Sequence, residues 1–149
     1  MNLNEKLSAH SAIESSLGIK PINPNTLSPL TLAYIGDSVY DMFVRTYLIH
    51  ISSCTVHGLH CQATKLVCAA AQSDAFHKIE GMLLENELAV YKRGRNAHSG
   101  TTPKNASLGN YRVATGFEAL IGYLYLSGSD ARLIEIMKTA VFSSNDEGK

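Results

Sequence analysis

Two carboxylates sit where the surrounding sequence suits them least. Asp37 lies in Leu32-Ala33-Tyr34-Ile35-Gly36-Asp37-Ser38-Val39-Tyr40, and Glu118 lies in Thr115-Gly116-Phe117-Glu118-Ala119-Leu120-Ile121-Gly122. Burying an ionised carboxylate is costly unless it is paired or bound to a metal, and Asp is a poor helix former. Each acid also has a glycine nearby, which weakens a helix but lets another backbone come close. Taken singly, either acid is explained by solvent exposure or by pairing with Arg45 or Arg112. Together, in the two most apolar helices of the chain, they point to a site. Hard oxygen ligands from two helices suit Mg2+, with Mn2+ as its substitute, because such ions keep several waters and take few carboxylates. An ion of this kind activates water and stabilises the leaving oxygen of a phosphodiester. Asp41, one turn beyond Asp37, is a candidate to join or support the site. An i,i+4 pair with Arg45 is an equally good reading.

A second constellation lies between the acids. Lys92, Arg93, Arg95, Lys104 and Arg112 fall in a stretch from Leu88 to Arg112 that holds no Asp or Glu. With Asn96 and the small polar residues around Gly94 and Gly100, they suit phosphate and sugar oxygens. Net charge is zero, which by itself argues against a polyanion partner, yet a local positive field is enough. Double-stranded RNA is read mainly by shape, phosphates and 2′-hydroxyls, so Lys92, Arg93, Arg95, Asn96 and Lys104 are candidate RNA contacts. The alternative is an ordinary solvated loop after a helix with basic residues at its end.

The elements that must hold these groups are helical. Residues 1–27 form a peripheral extension, with a weak helix from Asn4 to Leu17 ending at Gly18, then an extended stretch around Pro21 and Pro24. Ser28-Pro29 is a strong helix start, and Leu32, Ile35, Val39, Met42 and Phe43 repeat at helical spacing to about Ile49. A buried helix is expected from Val56 to Ala71, with Leu59, Ala63, Leu66, Val67 and Ala70 on its inner face. Ser73-Asp74 interrupts it or caps a further helix to Leu84. Glu85 to Arg93 is the next helix, and residues 94–109 read as a loop. Asn110 to Leu126 is the second apolar helix, stopped by Gly128. Asp130 caps a last helix to about Phe142, and residues 143–149 read as a frayed tail. No strand alternation or hairpin turn appears, so the fold class is all-α, with residues 28–142 as one domain.

Composition fits that reading. The 149 residues are 45% apolar and 17% charged, enough for a real core. No apolar run approaches a membrane span, and no secretory signal is visible, so a cytoplasmic protein is expected. Cys54, Cys61 and Cys68 are odd in number and read as buried or partly buried free thiols. His57 and Cys61 have i,i+4 spacing, but no second ligand pair with zinc spacing accompanies them. A nucleotide hydrolase with a histidine metal cluster would need a spacing that His10, His50, His57, His60, His77 and His98 do not show. Tyr34, Tyr40, Tyr47, Tyr123 and Tyr125 read as core or dimer-interface packing groups in preference to base-stacking ones.

These motifs resemble a known family. The stretch Leu32 to Tyr40 resembles the ribonuclease III signature helix, and Phe117-Glu118-Ala119-Leu120-Ile121-Gly122 resembles that family's second acidic motif. Leu59-His60-Cys61-Gln62-Ala63-Thr64 and Lys92-Arg93-Gly94-Arg95-Asn96-Ala97 are similar to its Mini-ribonuclease III branch, which has the catalytic domain without a double-stranded RNA-binding domain. The match runs from about Pro29 to Ile136. The resemblance implies a ribonuclease III endonuclease-domain-like helical bundle that acts as a homodimer. It implies Mg2+-dependent cleavage of double-stranded RNA, with Asp37 catalytic and Glu118 a metal ligand. In bacteria that branch matures 23S ribosomal RNA, and related forms work in the plastid stroma. This chain departs from the full-length pattern at Leu30, Ala33 and Thr115, where acids usually stand. A non-catalytic RNA-binding or ribosome-assembly protein on the same scaffold is therefore the rival expectation.

Overall fold

Two long helices cross so closely that neither tolerates a side chain at the crossing. The structure is a computed structural model that describes residues 8–97 and 107–142. Its helices are α1 (Ala9–Leu17), α2 (Pro29–Ile51), α3 (Val56–Val67), α4 (Ala69–Ile79), α5 (Glu85–Asn96), α6 (Leu108–Leu126) and α7 (Asp130–Met137). Short 3-10 turns precede α2 and α5, and α7 runs on into a π turn at Lys138–Phe142. Among the described residues there is no strand, so the all-α expectation holds. None of the described helices is long and apolar enough to cross a membrane.

α6 is the central element. It packs most extensively against α2, then against α5 and α4, and nine of its residues from Ala114 to Leu124 are buried. A Cβ on Gly36 of α2 would overlap the carbonyl oxygen of Glu118 and lie 2.7 Å from its carbonyl carbon. A Cβ on Gly122 of α6 would overlap the carbonyl oxygen of Leu32 and lie 2.8 Å from its carbonyl carbon. Backbone therefore rests on backbone, an approach that only glycine permits. On another side of α6, a Cβ on Gly94 of α5 would lie 2.9 Å from the Cα of Gly116. Around this frame the core closes with Phe76 stacked on Tyr91 at 3.8 Å and Tyr40 edge-on to Phe117 at 5.7 Å.

Tertiary hydrogen bonds set boundaries that local sequence does not. The expected helix from Val56 to Ala71 instead breaks at Cys68, whose backbone is extended. The last carbonyls of α3 are taken from outside the helix: Tyr40 Oη donates to Leu66 O at 2.9 Å, and Gln72 Nε2 donates to Val67 O at 3.0 Å. Helix ends need such partners, and here α2 and α4 supply them. Ser73-Asp74 is consequently inside α4, not a break. Of the expected inner face, Ala63 is buried, Leu59, Leu66 and Val67 are half-buried, and Ala70 is exposed. Cys54, Cys61 and Cys68 are all exposed, against the expectation of burial. Among the described residues α3 packs mainly against α2 and α4, and its outer face, with Cys61, is exposed.

Other boundaries move by a turn or less. α2 ends at Ile51, two residues beyond the expected end. α5 extends to Asn96, so Gly94 and Arg95 are helical. α6 starts at Leu108 because Ser107 Oγ accepts from Asn110 N at 3.1 Å. Ser129, not Asp130, occupies the N-cap of α7, and Asp130 instead accepts from Ala9 N at 3.2 Å. That contact docks α1 on the end of α6, where buried His10 bonds through Nδ1 to Leu126 O at 2.9 Å. α5 is fastened to α7 by Glu87, only 1% exposed, which receives Arg132 through Nη2 at 2.7 Å and Nε at 2.9 Å. The Arg132 hydrogen bonds hold the Glu87 carboxyl below its usual range. The expected tail at 143–149 lies outside the described residues.

The glycine crossing generates a test by unfolding in urea. Gly36→Ala and Gly122→Ala each drive a methyl into a carbonyl of the other helix, and each should lose about 3 kcal/mol or more, the upper range for overpacking. Gly109→Ala adds its methyl to open space on the exposed start of α6. It should gain about 0.5–1 kcal/mol from helix propensity.

Candidate active site

The crossing of α2 and α6 opens, on one side, into a cleft of about 310 Å³. Each helix lines it with residues at i, i+3, i+4 and i+7, the spacing of one helix face. From α2 these are Leu30, Ala33, Tyr34 and Asp37; from α6 they are Tyr111, Ala114, Thr115 and Glu118. The α3–α4 junction closes the cleft with Val67, Ala69 and Gln72. Local signals hold both walls in register. Ser28 Oγ caps α2 by accepting from Thr31 N at 3.2 Å, and Ser107 caps α6. The structure thus brings the two acids predicted from sequence into one site. It also places positions 30, 33 and 115, where acids are absent, in the same walls.

The two carboxylates have different surroundings. Glu118 is the deeper, half-buried beneath α2. Its pKa is pushed up to about 7, first by loss of water, then by the charge of Asp37, with the Gln72 amide pulling the other way. Asp37 is exposed at the mouth. Its pKa is also raised, by the partial burial of its carboxyl and then by the charge of Asp41. Asp41 does not line the cleft. It pairs with Arg45 Nε at 2.9 Å, so its influence on the site is through charge.

Those residues fit a divalent cation with few protein ligands. Among the described residues no group of three or more His, Cys, Asp or Glu could hold a metal. The cleft instead offers two carboxylates and Gln72, whose Oε1 is buried without a hydrogen-bond partner. All are hard oxygens, which suits Mg2+ or Mn2+ with waters completing the shell. A cation between Asp37 and Glu118 would remove the repulsion that now raises Glu118. α4 also starts beside the cleft without a side-chain cap, which leaves the positive end of its dipole available to an anion. By contrast, His57 Nε2 and Cys61 Sγ lie 3.7 Å apart on an exposed face and have no further ligand among the described residues.

None of Lys92, Arg93, Arg95 and Asn96 lines the cleft. Lys92, Arg93 and Asn96 are exposed at the end of α5. Arg95 is half-buried, 5.7 Å over the Tyr91 ring, and its Nε donates to Asn96 Oδ1 at 3.3 Å. Tyr91 in turn packs on Gly116 of α6, so this basic end is anchored to the helix that carries Glu118. Lys104 lies outside the described residues. The tyrosines divide: Tyr40 is buried and Tyr47, Tyr123 and Tyr125 are half-buried, as packing groups should be. Tyr34 is 80% exposed on the cleft wall, so it is not packed in the core of the chain. Gln72 was not singled out from sequence. Its signal was faint: one amide closing the run Ala69-Ala70-Ala71.

The raised Glu118 pKa has a consequence for stability. A carboxyl raised in the folded state binds its proton more tightly there than when unfolded. Its contribution is therefore intact below its unfolded pKa of about 4.5 and is lost as pH rises through about 7. Glu118→Gln should remove that penalty. In EDTA near pH 8 the variant should melt higher than wild type by about 2–4 °C, the response of a chain this size to about 1 kcal/mol. Below about pH 4 the difference should vanish. Equal melting at both pH values would show that Glu118 is not strained.

Comparison with known proteins agrees with this geometry. The Ribonuclease III domain family matches residues 30–129. A Mini-ribonuclease 3 of Clostridium tetani is 50% identical over 128 residues, covering 83% of this chain and 85% of its own. A Mini-ribonuclease 3 of Symbiobacterium thermophilum is 47% identical over 118 residues, covering 79% of this chain and 91% of its own. A crystal structure of a Fusobacterium nucleatum protein superposes with a TM-score of 0.70 at 28% identity, covering 76% of this chain and 90% of that one. With a domain match over most of its length and relatives of this similarity, the chain belongs to the ribonuclease III family, as an endoribonuclease of the Mini-ribonuclease 3 kind.

Proposed function

We propose that this endoribonuclease hydrolyses double-stranded RNA with a divalent cation, Mg2+ or Mn2+, held by Asp37 and Glu118. The observation that carries the reading is that both carboxylates face one cleft from two crossing helices. When bound, the cation supplies Lewis-acid stabilisation of phosphate charge and lowers the pKa of a bound water. Glu118, fixed by burial and by the Gln72 amide, would be the stationary oxygen ligand. Asp37, exposed at the mouth with a raised pKa, orients the attacking water and takes up its proton at an Oδ atom. The uncapped start of α4 favours the phosphate, and Tyr34 offers an exposed ring and hydroxyl at the rim. Lys92, Arg93, Arg95 and Asn96 hold the RNA backbone outside the cleft, and Lys104 is a further candidate contact by its charge.

The finer parts of the proposal rest on the family resemblance. Two copies working as a homodimer would each cut one strand of a duplex. The substrate in the cell would be the 23S ribosomal RNA precursor. The location would be the cytoplasm, or a plastid stroma if the source is organellar. The non-catalytic RNA-binding alternative is set aside because the family and relatives are ribonucleases.

Two variants test the division of labour. Asp37→Asn should lower cleavage of long double-stranded RNA by at least about a thousandfold, with RNA retention at low salt and the circular dichroism spectrum unchanged. Full activity in that variant would sink the assignment. Lys92→Ala should leave single-turnover cleavage at saturating RNA intact. It should weaken RNA binding and reduce the slope of log affinity against log salt by about one.

A further inference from the structure

Gln72 carries more of the cation site than a closing wall would. It lines the cleft together with Asp37 and Glu118, and only 2% of it is exposed. Its amide orientation is fixed: Nε2 donates to Val67 O at 3.0 Å, and a flipped amide would set two acceptor oxygens against each other. The same amide favours the ionised form of Glu118. The other end, Oε1, is a buried acceptor with no partner. A buried acceptor left unmade is a desolvation cost that native structures rarely carry without a ligand to satisfy it. At the three positions where acids are absent the walls supply no free acceptor. Leu30 and Ala33 have no polar side-chain atom, and the Thr115 hydroxyl donates to Tyr111 O at 3.0 Å.

We infer that Gln72 is a positioning residue for the divalent cation: its buried amide oxygen accepts a hydrogen bond from a water bound to the ion that Asp37 and Glu118 hold. The inference rests on the cation site proposed above. The oxygen performs the orienting part of what carboxylates at positions 30, 33 and 115 would do, without adding charge. Two carboxylates and a neutral amide give the cleft two negative charges, which one divalent ion neutralises. Partners that orient a cation's waters and ligands govern affinity without touching the ion.

Isothermal titration of Mn2+ into the full chain without RNA tests this, with wild type, Asp37→Asn, Gln72→Met, Gln72→Ala and Gln72→Glu. Gln72→Met and Gln72→Ala should each bind Mn2+ about tenfold more weakly or worse, the usual effect of losing such a partner. Gln72→Glu, which restores an acceptor oxygen, should bind within about threefold of wild type or tighter. A purely structural role would lower the melting temperature of all three in EDTA and leave the Mn2+ dissociation constant unchanged. If wild type binds Mn2+, Asp37→Asn does not, and whichever of Gln72→Met and Gln72→Ala folds binds like wild type, the role of Gln72 is overturned alone. If wild type and Asp37→Asn give the same titration, the two-carboxylate site falls and the inference falls with it.

Discussion

The position of every group in the cleft depends on the distance between α2 and α6, and that distance is set by Gly36 and Gly122. Each glycine receives a carbonyl of the other helix where any side chain would collide. Asp37 follows Gly36 directly, and the carbonyl seated against Gly36 belongs to Glu118 itself. The contact that joins the helices is therefore also the contact that brings the acids together. A wider crossing would carry Glu118 away from Asp37 and open the cleft at Gln72. Glycine in a helix interior lowers intrinsic stability, so packing of the surrounding core must offset it. The fully buried side chains of Phe117, Leu120, Ile121 and Tyr40 supply that packing.

The same geometry creates an electrostatic tension. Burial and like charge both raise Glu118, and Asp37 is raised as well. A carboxylate pair held this way disfavours its own ionisation, and a divalent cation is the partner that reverses the sign. Elsewhere the protein treats buried charge differently. Glu87 is buried more completely than Glu118, yet its two oxygens are met by Arg132 and the Leu84 N–H. One buried carboxylate is satisfied within the chain and anchors α5 to α7. The other has no basic partner among the described residues and lines the cleft. That contrast separates a structural acid from a functional one more clearly than burial alone.

Much of this was legible in sequence because it is local. Ser28-Pro29 marked the start of α2, helical periodicity marked α2 and α6, and two acids with glycines in apolar helices marked the site. What was not legible depends on partners far away in the chain. The break at Cys68 follows from Tyr40 and Gln72 taking the carbonyls at the end of α3, and no propensity at Cys68 encodes that. The exposure of all three cysteines follows from what covers α3, not from their own chemistry. Tyr34 is not a core residue although tyrosines on apolar helices usually pack, because its turn of α2 faces the cleft. Gln72 stayed hidden because a single amide in an alanine-rich stretch is unremarkable until it is found in the cleft with Glu118, its oxygen buried without a partner.

The central claim is that α2 and α6 meet in order to present Asp37 and Glu118 to one cation. The most direct measurement is anomalous diffraction from a crystal equilibrated with Mn2+. The account predicts a peak in the cleft within about 2.5 Å of a carboxylate oxygen from Asp37 and from Glu118. An empty cleft at saturating Mn2+, or a peak that touches neither acid, would contradict it.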